Sequence, residues 1–255
     1  MLLRLALLAA ALSSCASVDV IPRYGRLDFG GHIGSHASGT AATGTNSFDE
    51  LGMATDRAQL GGRVDLEAAG AHTTLDAFTV SRSGSGALQD PISDGSVTIP
   101  AGTAVDSTFD SKQGEAVVTW DLIPGNMLEA GIGFGASAVD LDASVRDPAS
   151  GDEISTKKLT AIPLLAGRVG IDLGRVDLSV LFAWMDLDIG DQNERMMDVD
   201  FMARCRLFGA AGGIAGAVVV GLRYTEFQTK YEDGSKRVDA LETISSPYLG
   251  LSLRF

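Results

Sequence analysis

Apolar and polar residues alternate with a period of two along most of this chain, and amphipathic helical periodicity is hard to find. In Arg57 to Ala68, the positions Ala58, Leu60, Val64 and Leu66 are apolar, and Gln59, Arg63, Asp65 and Glu67 alternate with them. The same pattern recurs at Glu115 to Leu122, Leu128 to Ala138, Lys158 to Leu173, Val176 to Trp184, Met197 to Leu207 and Tyr248 to Phe255. Weaker versions lie at Arg26 to Gly34, Thr73 to Arg82 and Ile214 to Phe227. That makes about ten segments, each near the roughly 9–11 residues that a tilted transmembrane strand needs.

The connections between these segments alternate in length. Ser35 to Asp56 and Ser83 to Asp110 read as long polar loops, whereas Ala69-Gly70-Ala71-His72, Ile123 to Asn126 and Gly174-Arg175 read as tight turns. Alternation of this kind fits an up-and-down barrel with turns on one rim and loops on the other, and an even strand count puts both termini on the turn side. In lipid every backbone N–H and C=O needs an internal partner, so strands cross only where the sheet closes on itself. A soluble sheet also alternates, with its apolar face turned inward. Here one face is built of small and aliphatic residues and the other mixes arginine with carboxylates, which suits a wall with lipid outside. Gly131, Gly133 and Gly135 then fall on the inner face, where they relieve crowding. The expected fold is all-β, an antiparallel up-and-down transmembrane β-barrel of about ten strands, with eight as the alternative.

Charge and the chain start narrow the setting. Lys+Arg 20 against Asp+Glu 33 gives a formal charge of −13, so nucleic acid is not an expected partner. Met1 to Leu3, Arg4, the apolar run Leu5 to Leu12 and Ser13-Ser14-Cys15 read as a short export signal, too short to span a bilayer. Leu12-Ser13-Ser14-Cys15 resembles the lipobox of bacterial lipoproteins, which implies lipidation of Cys15, and Ala16 rather than Asp after it implies sorting to the outer membrane. An ordinary cleaved signal peptide is the alternative. The expected organisation is a signal over residues 1–14, a periplasmic linker over 15–23 and a barrel over 24–255.

The carboxyl end reads Tyr248-Leu249-Gly250-Leu251-Ser252-Leu253-Arg254-Phe255. Through Tyr248, Gly250, Leu253 and Phe255 it resembles the assembly signal of Gram-negative outer-membrane barrels, and the rest of the chain looks like small barrels of the OmpA or OmpW type. The resemblance implies a place in the bacterial outer membrane. It also implies contacts with outer-membrane lipid and lipopolysaccharide, and handling by the barrel-assembly machinery.

By parity, a lumen charge network is expected from Arg63, Asp65, Glu67, Asp121, Glu129, Arg168, Asp198, Asp200, Arg204, Arg206 and Arg223, with Arg26, Asp28 and His32 also turned inward. A barrel of about ten strands has an interior little wider than side chains can fill. The first expectation is therefore a structural or narrow-pore barrel, with a small solute as a candidate partner, no catalysis and no cofactor. Alternatives are a hydrolase or lipid-modifying enzyme at the outer rim and a lipid-anchored binding barrel of lipocalin type. His32 and His36 near the rim carrying Asp186 and Asp188 make acid–base chemistry conceivable. Cys and His show no metal-site spacing, and there is no Gly-x-Ser-x-Gly. Trp120, Trp184, Phe208, Tyr224 and Phe227 are candidates for interfacial girdles.

Overall fold

The computed structural model describes residues 17–38, 44–53, 56–123, 127–189, 192–209, 213–234 and 236–255. The export signal and Cys15 lie outside the described residues. Ten long strands make the wall: β1 Ser17–Ala37, β2 Asp56–Ala68, β3 Ala71–Ala87, β4 Ala104–Ile123, β5 Leu128–Arg146, β6 Glu153–Asp172, β7 Val176–Ile189, β8 Gln192–Phe208, β9 Ala215–Asp233 and β10 Lys236–Arg254. Each pairs antiparallel with its neighbours in sequence, and β10 pairs with β1, so the sheet closes.

The register can be followed around the wall. Val18 pairs with Leu66, and the path continues through Thr73, Val118, Phe134 and Leu165. It then crosses Trp184, Met197, Glu226 and Thr243 and returns to β1 at Gly30, a stagger of 30 − 18 = 12 residues. Closure with such a stagger tilts the strands by roughly 35–45°. β1 already pairs with β2 and β10 from Ser17 and Asp19 onward. Residues 17–23, expected in a linker, are therefore part of the wall.

The strands are about twice as long as a bilayer needs, and their polarity inverts halfway up. On the outer face of β4, Ala104, Asp106, Thr108, Asp110 and Lys112 give way to Gly114, Ala116, Val118, Trp120 and Leu122. On β6, Glu153, Ser155 and Lys157 give way to Leu159, Ala161, Pro163, Leu165, Val169 and Ile171. Nearest the turns and the termini, the outer face is an apolar belt that includes Leu75, Ile132, Phe182, Phe201, Val220 and Leu251, all exposed. Tyr24 and Trp184 lie toward its upper edge, and Trp120, Phe208 and Phe255 toward its lower one. Phe227, expected in a girdle, is instead buried inside.

Above the belt the outer face is polar and the inner face apolar, so Arg26 and Asp28 are exposed on the outside rather than turned into the lumen. The upper interior is a core in which Phe29, Phe48 and Phe109 meet at centroid distances of 4.6–5.4 Å. Phe48, Leu51 and Met53 come from the segment after β1. This segment closes the wall above the short strand β2: Phe48 N donates to Gly31 O and Ala87 N to Glu50 O. Residues 88–103 fold over the mouth and bury Leu88, Ile92 and Ile99. The connections expected over Ser35 to Asp56 and Ser83 to Asp110 are therefore partly wall, because β1 runs to Ala37, β3 to Ala87 and β4 begins at Ala104.

At the opposite rim, β2 and β3 are joined by Ala69 and Gly70, both at positive φ (52° and 77°). This is the backbone of a primed two-residue hairpin turn, whose twist matches that of the strands. The chain ends lie at this same rim, where Val18 and Phe255 exchange backbone hydrogen bonds.

Glu242 stands on β10 well above the belt, 2 % exposed within the upper core. Its Oε2 accepts hydrogen bonds from Ser111 and from Gln113, each at 3.0 Å. Burial pushes its carboxyl up to about 7, partly offset by these donors and by the charge of Arg82. Because the folded value exceeds the ordinary 4.5, the stabilisation is full below about pH 4.5 and is lost as pH rises through about 7, by about 3 kcal/mol in all. Urea unfolding in detergent should therefore show higher stability at pH 5 than at pH 8, and Glu242→Gln should flatten that slope. An unchanged slope in the variant would assign the pH dependence elsewhere.

Candidate functional site: a layered, charge-filled lumen

Inside the belt, the polar residues of the inner face form two ionic layers. The upper one crosses the lumen. Arg23 of β1 reaches Asp76 of β3 at 3.0 Å and Asp200 of β8 at 2.9 Å. Arg63 of β2 holds Asp65 at 2.7 Å and the same Asp200 at 2.9 Å. Arg223 of β9 pairs with Asp198 through Nε at 2.9 Å, again through Nη2, and with Asp76 through Nη1. Tyr248 of β10 donates to Asp200 at 2.7 Å, with the Arg23 guanidinium 4.6 Å from its ring centre. Apart from Asp65, these side chains are at most 9 % exposed or belong to buried residues. Buried charges are tolerated when each is paired and hydrogen-bonded, and the pairings of Arg23 and Arg63 with Asp200 and of Arg223 with Asp76 join strands far apart in sequence.

The lower layer lines a cavity of about 240 Å³ at the rim that holds the termini. Arg204 reaches Asp19 at 3.0 Å and Asp65 at 3.6 Å, linking the two layers. Arg168 bridges Asp121 and Glu129, both at 2.8 Å, and His72 reaches Asp121 at 3.2 Å. Arg206 bridges Asp172 and Asp177 at 2.6 and 2.8 Å, and Arg254 holds Glu67 at 2.6 Å.

All eleven residues named from parity thus face the lumen side. Arg63, Asp65, Asp198, Asp200 and Arg223 lie in the upper layer; Glu67, Asp121, Glu129, Arg168, Arg204 and Arg206 lie in the lower one. Sequence reasoning missed Arg23 and Asp76, and it named Tyr248 for the assembly signal rather than for the lumen. Arg23 falls in the stretch assigned to a linker. Asp76 alternates with Leu75 and Ala77, so parity alone could have found it.

The terminal strand divides its roles by parity. Leu253 and Phe255 are exposed on the outer face, and Tyr248 points inward. A Cβ added at Gly221 would lie 2.1 Å from the Tyr248 ring, so only glycine leaves room for that side chain on the neighbouring strand. Gly250 is likewise crowded, 2.9 Å from the Pro22 carbonyl oxygen at its Cβ position.

The acid–base grouping considered from sequence does not assemble. His32 lies 3.6 Å from Asp239, which also binds Lys230 at 3.1 Å. His36 is buried against the Gly44 carbonyl. Asp186 and Asp188 are exposed on the outer face of β7, which is flanked by β6 and β8, whereas β1 is flanked by β10 and β2.

A closed ladder, an outward apolar belt and an ionic interior define a ten-stranded transmembrane β-barrel of the bacterial outer-membrane class. No family model and no curated protein matches the chain. Among solved structures it is similar to the outer membrane protease OmpT from Escherichia coli, at 10% identity and TM-score 0.59, over 94% of this chain and 97% of that one. Looser likeness extends to Ail of Yersinia pestis, at 9% identity and TM-score 0.35, over 94% and 99% of the two chains. The translocator domain of autotransporter NalP from Neisseria meningitidis gives 13% identity and TM-score 0.35, over 96% and 92%. The likeness to OmpT is one of fold. The belt and the barrel fold together place this protein in the bacterial outer membrane.

Proposed function

We propose that this protein is a sealed structural barrel of the outer membrane, which conducts no solute and performs no catalysis. The observation that carries this reading is the stack of two obstructions in the lumen: the cross-linked layer of Arg23, Arg63, Asp76, Asp198, Asp200, Arg223 and Tyr248, and the apolar core above it. A narrow conduit would need a file of hydrated groups from rim to rim; here Arg23, Arg63 and Arg223 are spent on Asp65, Asp76, Asp198 and Asp200. Separation of His32 and His36 from Asp186 and Asp188 weighs against an outer-rim hydrolase. An exposed apolar belt weighs against a lipocalin-like barrel in water.

Outer-membrane lipid and lipopolysaccharide surround the belt in this reading, and the assembly machinery recognises the strand ending at Phe255. Lipidation of Cys15 fits the same picture: two residues on, Ser17 opens β1 at the lower rim, where an attached acyl chain meets the inner leaflet. Reconstitution into planar bilayers tests the proposal. Insertion without discrete current steps is the expected result, and reproducible unitary conductance would overturn it. Intact mass after purification from membranes reports on Cys15: the lipidated species is expected, and an unmodified chain cleaved elsewhere would refute it.

A further inference from the structure

Two arginine bridges stand side by side in the cavity at the lower rim. Arg168, Gly170 and Asp172 follow one another at alternate positions on the inner face of β6, and all three line the cavity. Arg168 holds Asp121 and Glu129, and Arg206 holds Asp172 and Asp177. Glu129 is the ladder partner of Gly170 on β5, and Asp177 is that of Asp172 on β7. A Cβ at Gly170 would lie 3.6 Å from Glu129 Oε2 and 3.9 Å from Arg168 Nη1, which are ordinary contact distances. The strip between the bridges is therefore floored by backbone alone, with room above it. Glu129 and Asp172 flank this strip with 36 % of each side chain exposed.

Each bridge sets one cation against two carboxylates and so keeps one negative charge. The lower layer as a whole agrees: Arg168, Arg204, Arg206 and Arg254 against Asp19, Glu67, Asp121, Glu129, Asp172 and Asp177 give 4 − 6 = −2, with His72 neutral. The upper layer sets three arginines against four aspartates and has no positive charge to lend. Buried atoms of both signs lack hydrogen-bond partners here, Asp19 Oδ2 as well as Nε of Arg168 and of Arg204, so the net charge decides which ligand the cavity favours. A metal ion needs several oxygens converging on one point, and no group of three or more His, Cys, Asp or Glu side chains is so placed among the described residues. Two residual charges held apart across a bare strip match instead two ammonium groups joined by an alkyl chain, each ammonium offering three donors to carboxylate oxygens.

We propose that this cavity binds a linear aliphatic diamine, with one ammonium at Glu129, the other at Asp172 and Asp177, and the methylene chain across Gly170. The site lies below the sealing layer and is independent of whether the lumen conducts. Equilibrium dialysis of radiolabelled cadaverine against the intact protein in phosphatidylcholine nanodiscs at neutral pH tests it, with empty nanodiscs as the blank. One saturable site is expected, weakened by added salt. Pentylamine lacks the second charge and lysine adds a carboxylate, so each should compete about tenfold more weakly than unlabelled cadaverine. Gly170→Leu should lower the affinity about tenfold by filling the strip, and Asp172→Asn should lower it as much by removing one residual charge while Arg206 keeps Asp177. Heat-modifiable gel mobility shows whether each variant is folded, and Asp172→Asn decides alone if Gly170→Leu is not. Retention no greater than by empty nanodiscs, pentylamine or lysine competing as well as cadaverine, displacement by equimolar magnesium, or unchanged affinity in folded Asp172→Asn would each overturn the proposal.

Discussion

Arg223→Ala should destabilise the barrel by about 3–5 kcal/mol, because it strands the buried carboxylate of Asp198 and takes from Asp76 one of its two cations. Arg223 is the shared partner of Asp198 and Asp76, and its removal leaves Asp198 without a cation and Asp76 with Arg23 alone. Its guanidinium also covers the Phe78 ring at 4.6 Å, so the variant opens a void as well as a charge imbalance. Urea unfolding in detergent micelles, followed by gel mobility, measures the effect. The double variant Arg223→Met with Asp198→Leu should recover part of the loss, since replacing a whole buried ion pair is far less costly than breaking it. A single variant within about 1 kcal/mol of the parent would mean that the layer is solvated and does not seal the lumen.

Gly133→Val should prevent formation of the folded barrel. On the inner face of β5 a Cβ at position 133 would sit 1.8 Å from the Val118 carbonyl oxygen and 2.7 Å from the Thr119 Cα. Neither atom is the end of a flexible side chain, so relief requires parting β4 from β5 in the middle of the belt. Backbone groups parted there face lipid without partners, at several kcal/mol each. Expression should yield only the heat-denatured mobility, whereas Gly62→Val, on the outer face, should fold. Normal folding of Gly133→Val would show that the strands sit farther apart at this position than described.

The alternation that gives the belt its two faces was legible residue by residue. Leu60, Val64 and Leu66 are outside and Arg63, Asp65 and Glu67 inside, as parity required. Ten strands, a closed ring and both termini at one rim followed from counting such segments. The upper half was misread for one physical reason: above the belt the solvent is water, so the face that was apolar becomes polar. Asp106, Thr108 and Asp110 then resemble a loop, while Val105, Ser107 and Phe109 pack inside. Arg26 and Asp28 were assigned to the lumen by the same error, since polarity marks the inner face only where lipid lies outside. Partnerships such as Arg23 with Asp200, 177 positions apart, depend on the stagger of the closed sheet. No local pattern encodes them.

The inversion of polarity along single strands is the most exposed part of this account, and nitroxide scanning of β4 from position 104 to 122 tests it most directly. Even positions from 114 to 122 should be accessible to oxygen and shielded from a water-soluble nickel chelate, even positions from 104 to 112 should show the reverse, and odd positions from 105 to 119, below which the rim cavity opens, should be shielded from both. A profile with the same sign at every even position, or those odd positions open to the chelate, would contradict a sealed cylinder that stands half in lipid and half in water.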